Sequence, residues 1–184
     1  MLSILTWNIK RFGNNRSKVD LKEIVQYIRH YDPDIITLFE VVGNRGYKFV
    51  EENFPDHVFY MTYGRQSQEM MIGVRRTLRA FFTQKDEFQS GDIYLRPAAL
   101  VTVTQEKEPY NFLFLHLKSS DAPKGLGLRD DVFKQVSRLK RRLDIINKSE
   151  SKLVVCGDLN FQGMQYPFQY SIEAAVELKK IERT

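Results

Sequence analysis

Four times along this chain an apolar run stops abruptly on one polar side chain. Ile4-Leu5-Thr6-Trp7 stops on Asn8, Ile35 to Phe39 on Glu40, Phe112 to Leu115 on His116, and Leu153 to Gly157 on Asp158, with Asn160 two residues further on. A polar residue that directly follows an apolar strand stands at the strand's carboxyl end, where open α/β sheets gather their ligands. The pattern therefore predicts strands whose ends deliver two amides, two acids and an imidazole to one side of a layered domain.

The stretches between these runs fill in the architecture. Apolar periodicity and turn residues predict strands at 2–8, 34–40, 56–63, 69–75, 78–83, 98–104, 111–116 and 152–157. Helices are expected at 18–31, 45–53, 127–147 and 171–182, with Asp32-Pro33 closing the first because proline disfavours helical geometry in the residue before it. Val132, Val136, Leu139, Leu143 and Ile146 recur at helical spacing, so the basic residues among them fill a solvated face. The meander of strands in the middle points to a layered α/β domain with antiparallel pairs rather than a purely parallel sheet. No repeat, linker or low-complexity tract interrupts it, and 184 residues suit a single domain, 1–184.

Composition narrows the setting. With 13 Phe, 9 Tyr and 42% hydrophobic residues the chain is no disordered polymer. No apolar run approaches the roughly 20 residues of a membrane span. The apolar start is too short for a secretory signal, and the single cysteine excludes an internal disulfide and fits a reducing, cytoplasmic compartment. Cys156 lies inside an apolar strand and reads as a buried small hydrophobe. A net charge of +5 favours anionic partners, nucleic acid among them.

Each candidate residue has a plain structural reading beside the chemical one. Glu40 is either a ligand for a hard cation or an exposed strand terminus, and Asn8 either lends it an amide oxygen or forms a turn. Gly157-Asp158-Leu159-Asn160 sets two polar side chains two residues apart after a glycine exit, or forms an Asx turn. His116, with Lys118, Ser119 and Ser120 just beyond, donates to a phosphoryl oxygen or serves the fold.

The ordered set Trp7-Asn8-Ile9, Phe39-Glu40-Val41, Leu115-His116-Leu117 and Gly157-Asp158-Leu159-Asn160 resembles the signature of the endonuclease/exonuclease/phosphatase superfamily, the phosphoesterases of the DNase I-like fold. Gln68-Glu69-Met70 and Arg96-Pro97-Ala98 are similar to two further segments of that family. The resemblance implies an α/β sandwich of two mixed, largely antiparallel sheets flanked by helices. It also implies a Mg2+-dependent site, with Mn2+ as the alternative ion. Glu40 would be the principal metal ligand with Asn8 beside it. His116 would contact the phosphoryl oxygen, kept cationic and oriented by Glu69. Asp158 would orient or deprotonate the attacking water, and Asn160 would help fix phosphate and nucleophile. Arg96, Lys118 and Arg45 would bind substrate.

The resemblance implies a phosphodiesterase, an endonuclease or exonuclease acting on DNA or RNA with modest sequence preference. A phosphomonoesterase or phospholipid diesterase on the same scaffold is the first alternative, and an impaired binding module for nucleic acid or protein the second. The family's closing Asp-His motif and final strands have no counterpart after Asn160. The chain is therefore expected to be a fragment or a short or degenerate member, with C-terminal strands missing or supplied by a partner or swapped strand that completes the sheet.

Overall fold

The computed structural model describes residues 2–12, 21–66, 68–119 and 123–160. They run through β1 (Ile4–Phe12), α1 (Leu21–Tyr31), β2 (Ile35–Val41), α2 (Gly43–Asn53), β3 (His57–Met61), β4 (Glu69–Arg75), β5 (Arg79–Lys85) and a 3-10 turn at Asp86–Gln89. Then follow β6 (Ala98–Gln105), β7 (Glu108–His116), α3 (Pro123–Asn147) and β8 (Lys152–Asp158). The expected strands form, most with shifts of one or two residues at their ends; β1, however, runs on past Asn8 to Phe12 with an irregular register between them, and β7 begins at Glu108 rather than at 111. The helix anticipated at 171–182 lies outside the described residues.

The strands make two four-stranded sheets, in the orders β1-β2-β4-β3 and β5-β6-β7-β8. In each, one edge pair is parallel, β1 with β2 and β7 with β8, and the other pairs are antiparallel. Alternation along the strands sorts the side chains into layers. Ile35, Phe39, Met70, Ile72 and Val74 of one sheet meet Val101, Val103, Phe112 and Phe114 of the other in a central core. On the far side of the first sheet Ile36, Leu38 and Met71 pack under Ile24, Ile28 of α1 and Val50 of α2. On the far side of the second, Leu100, Leu113 and Leu115 pack under Val132, Phe133, Val136 and Leu139 of α3. The expected sandwich of two mixed sheets between helices is what the chain forms. Both sheet faces are buried, which is why the central strands read as nearly unbroken apolar runs.

One helix expectation needs correcting. Ile146 continues the spacing of the α3 apolar face yet is 74% exposed, because the helix end projects past the sheet it covers. Phe133 is buried in that face instead.

At the amino-terminal end of β2 the two acids Asp32 and Asp34 grip Arg75 of β4, at 2.7 and 3.1 Å. Asp34 also accepts from the backbone N–H and hydroxyl of Ser3. Burial raises the Asp34 carboxyl, but the Ser3 and Arg75 hydrogen bonds outweigh it and hold the pKa below the usual value. A carboxylate held low in the folded state adds stability above its unfolded pKa of about 3.9 and loses it as pH falls through the folded-state value. Asp34→Asn is therefore expected to flatten the loss of stability with falling pH below about pH 4, read from urea midpoints across pH.

Thr37 sits in the middle of β2 with no exposed surface, and its hydroxyl oxygen has no hydrogen-bond partner among the described residues. An unpaired buried hydroxyl costs free energy that an isosteric methyl does not. Thr37→Val should raise the unfolding free energy by about 1 kcal/mol, measured by urea denaturation; an unchanged or lowered midpoint would refute the assignment of that oxygen as unpaired.

Candidate active site

All four apolar runs end on the same side of the sandwich. β1 and β2 are parallel, as are β7 and β8, and their carboxyl ends are brought together where the two sheets stack. His116 and Asp158 are register partners across the β7–β8 pair. Asn8 stands opposite Phe39 in the β1–β2 pair, one residue from Glu40.

Glu40 gets into the site by breaking the alternation. Phe39 faces the central core and Val41 packs under the helices, so a regular strand would point Glu40 away from the core. Instead Glu40 takes a left-handed backbone, φ 62°, and the β2–β4 register slips between Phe39 and Val41. It is the extra residue of a β-bulge, a device that re-aims a side chain at some cost in backbone strain.

Gly157 does the complementary work on β8. Its φ is +138°, and a Cβ there would sit 2.1 Å from the Leu115 carbonyl oxygen. Only glycine lets β8 approach β7 so closely just before Asp158. The approach is sealed by the Leu117 N–H donating to the Asp158 carbonyl at 2.9 Å.

The side chains converge. The Asn8 amide nitrogen donates to Asp158 Oδ2 at 2.7 Å and to Glu40 Oε1 at 3.2 Å. The same two oxygens lie 3.7 and 4.0 Å from His116 Nε2. Asn160 braces this group from behind: its backbone N–H donates to Asp158 Oδ1 and its amide to the Leu117 carbonyl. Sequence reasoning thus named residues that do come together, Asn8, Glu40, His116, Asp158 and Asn160.

Three expectations fare differently. Glu69 does not orient His116, because its carboxylate is taken by the Thr62 hydroxyl at 2.6 Å, the Gly64 N–H at 3.1 Å and the Gln66 amide at 3.0 Å. Nor is His116 kept cationic in the protein alone. Burial first, then the Arg96 guanidinium, lowers its pKa to about 4 against the opposing pull of Asp158 and Glu40. The ring stands edge-on to Phe39, 5.6 Å between centroids. Arg45 falls in the first turn of α2, and its side chain lies outside the described residues.

The residue that sequence reading missed is Gln68. Its amide nitrogen donates to Glu40 Oε2 at 3.3 Å, and its side-chain oxygen accepts from Arg96. Arg96 also donates through Nε to the Gln68 backbone carbonyl at 3.3 Å. Gln68 continues the central-face alternation of Met70 and Ile72, which leaves Glu69 on the other face, and the register slip in β2 turns Glu40 toward Gln68. Nothing in the sequence alone announces a bulge at Glu40. Lys118 is exposed on the rim beside Arg96 and His116.

Two carboxylates and an amide, all oxygen donors, are the chemistry a hard divalent cation takes, and such an ion commonly keeps several waters. Among the described residues no group of three or more His, Cys, Asp or Glu ligands is gathered, so the fit is to a water-rich site of one or two carboxylates.

A model of the Endonuclease/Exonuclease/phosphatase family matches residues 5–171. The chain belongs to that family. Its enzymes are generally dependent on a divalent metal. Among solved structures the fold resembles TDP2 from Caenorhabditis elegans, with a TM-score of 0.71, 21% identity, and 91% of this chain against 51% of that one. It also resembles D. rerio TDP2 complexed with a single-strand DNA product, at TM-score 0.69, 15% identity, and 98% against 64%. A mannosyl-6-phosphatase from Bacteroides thetaiotaomicron follows at TM-score 0.63, 14% identity, and 90% against 67%. The chain spans about half to two thirds of the length of these structures. At these identities the likeness is one of fold. Comparison with curated proteins finds no significant match.

The bulge at Glu40 generates a test of its own. A non-glycine residue in the left-handed region costs about 1–2 kcal/mol, and the Glu40 carboxylate adds a second negative charge beside Asp158. Glu40→Gly should therefore unfold at a higher urea concentration than the parent while losing affinity for a divalent cation in calorimetric titration. A destabilised Glu40→Gly protein would show that the hydrogen bonds from Asn8 and Gln68 outweigh the strain and the repulsion.

Proposed function

We propose that this chain is a divalent-metal phosphodiesterase, Mg2+ or Mn2+ being the ion, that cleaves DNA or RNA with modest sequence preference. One observation carries the reading. Glu40 Oε1 and Asp158 Oδ2, from opposite sheets, share the Asn8 amide as donor and face the same His116 nitrogen.

The division of labour follows from the chemistry of each group. A cation bound by Glu40 and Asp158, with Asn8 turned to offer its oxygen, would neutralise the phosphate and polarise its P–O bonds. Asp158, fixed by the Asn160 N–H, is placed to align a water and accept its proton. Asn160 spends its amide nitrogen on Leu117, which leaves its side-chain oxygen for the same water. His116 acts as a neutral donor: Nε2 faces the carboxylates, while Nδ1 is buried without a partner among the described residues. That arrangement favours the Nε2–H tautomer, whose N–H can donate a hydrogen bond to a phosphoryl oxygen. Arg96 is a cation held near Glu40 by Gln68, with its pKa lowered by burial and supported by Glu40, Glu69 and Asp158. It is suited to the charge that builds on the phosphoryl group in the transition state. Lys118 and Arg45 are assigned to the flanking phosphates, and the excess of 28 Lys and Arg over 23 Asp and Glu favours a polyanion as substrate.

The test is incubation of supercoiled plasmid and of short RNA with and without Mg2+ or Mn2+. Metal-dependent cleavage is expected, suppressed by EDTA. Glu40→Gln, Asp158→Asn and His116→Ala should each lower the rate by about 10²- to 10⁴-fold. Intact nucleic acid together with inorganic phosphate released from a sugar monophosphate would overturn the diesterase in favour of a phosphomonoesterase.

A further inference from the structure

Tyr63 is the most exposed large apolar side chain among the described residues, at 84%. Its main chain is among the most firmly held. The Gln84 side chain accepts from the Tyr63 N–H at 2.7 Å and donates to the Tyr63 carbonyl at 2.9 Å. Gln84 is itself fixed by Asp86 at 2.7 Å. On either side, Thr62 and Gly64 are tied to the buried Glu69 carboxylate, which also holds Gln66. This gives Glu69 a use: it braces the β3–β4 loop rather than His116.

Residues 62–66 are thus tied down, and Gln68, which joins Glu40 to Arg96, follows shortly after. This segment carries an exposed ring at 63 and an exposed side chain at Arg65, at the end of the first sheet where β2 delivers Glu40. The other exposed tyrosines on the first sheet's helical side are different. Tyr27 and Tyr31 stack edge-on at 5.1 Å and pair their hydroxyls at 3.3 Å. Among the described residues the Tyr63 ring has neither a ring contact nor a hydrogen bond.

We infer that Tyr63 is a specificity-determining residue whose ring stacks on an unpaired base of a single-stranded nucleic acid lying across the Gln68–Arg96 side of the site. A flat aromatic presented on a fixed main chain loses little entropy on binding, and every base offers it a π-face. Arg65 beside it meets the phosphate of the same strand. A paired base offers its face only after unstacking, so a duplex gains less from the ring. The inference rests on the proposed nucleic-acid reading and adds the strand form of the substrate and the side on which it lies.

The experiment is a binding titration of a fluorescein-labelled oligothymidylate, the same strand with base-less sugars, and a duplex. It is run on the parent chain, Tyr63→Ala, Tyr63→Phe and Tyr63→Trp. Stacking strengths from alanine substitution correspond to a loss of about 5- to 100-fold. That loss is expected for Tyr63→Ala on the thymidylate strand, with no loss on the base-less strand or the duplex. Tyr63→Phe and Tyr63→Trp should bind as the parent does. All variants should unfold close to the parent's temperature, because the side chain is 84% exposed. Equal affinities of Tyr63→Ala and parent for the thymidylate strand, or no binding of that strand by the parent, would overturn the inference. Hydrolysis of bis(p-nitrophenyl) phosphate with Mn2+, followed in parallel with Glu40→Gln, reports on the diesterase reading separately. That reaction can fail while the stacking holds, or hold while the stacking fails.

Discussion

The central layer of apolar side chains between the two sheets is what the rest of the molecule depends on. Phe39, Met70 and Ile72 must lie against Val101, Phe112 and Phe114 for either sheet to bury its inner face. Burial of that area is the main favourable term available to a domain of this size. Once the sheets are stacked, the ends of β1 and β2 have no choice but to meet the ends of β7 and β8. The acidic pair of Glu40 and Asp158 is therefore held together by a hydrophobic contact several residues away. Two carboxylates so close repel one another, and the shared Asn8 donor and the nearby Arg96 only partly offset that repulsion. A site assembled against its own electrostatics is primed to take a cation.

Backbone departures then do what regular strands cannot. A strand alternates its side chains, so Glu40 next to a core-facing Phe39 would be lost to the helical side without the left-handed turn at its own residue. Gly157 allows the opposite device, a close approach of β8 to β7 that no side chain would tolerate. Both lie beside the acids, and neither is needed by the core. Strain concentrated at such positions is kept only where surrounding packing over-determines it, and here the fully buried Phe39 and Val41 on either side of Glu40 supply that packing.

The sequence made the layers legible because both faces of each central strand are buried, giving apolar runs such as Phe112 to Leu115 that stop where the site begins. The polar residue at each stop was legible for the same reason. What stayed hidden depends on register rather than composition. Gln68 and Glu69 are polar neighbours whose faces are set by the alternation of β4, and only the one-residue slip at Glu40 brings the acid to the face that Gln68 occupies. The charge of His116 was hidden too, since it depends on burial against Phe39 and on the distance to Arg96, neither of which is written in the residues around it. Ile146 shows the limit of periodicity: the spacing continues after the sheet beneath it has ended.

Glu69 and His116, read together, change the electrostatic logic of the site. A cationic histidine would compete with a metal ion for the same carboxylates, each lowering the other's affinity. A buried neutral imidazole does not, and a bound cation near Glu40 would press its pKa in the same direction as Arg96 does. The fixed positive charge then comes from Arg96 and, on the proposed reading, from a bound cation. The imidazole is left to donate one oriented hydrogen bond. Glu69, freed from pairing with it, spends its carboxylate on three donors of the β3–β4 loop, so the acid expected to tune His116 instead sets the shape of the wall beside it. Glu69 thus shapes the loop, and through Gln68 the loop stays connected to Glu40 and Arg96.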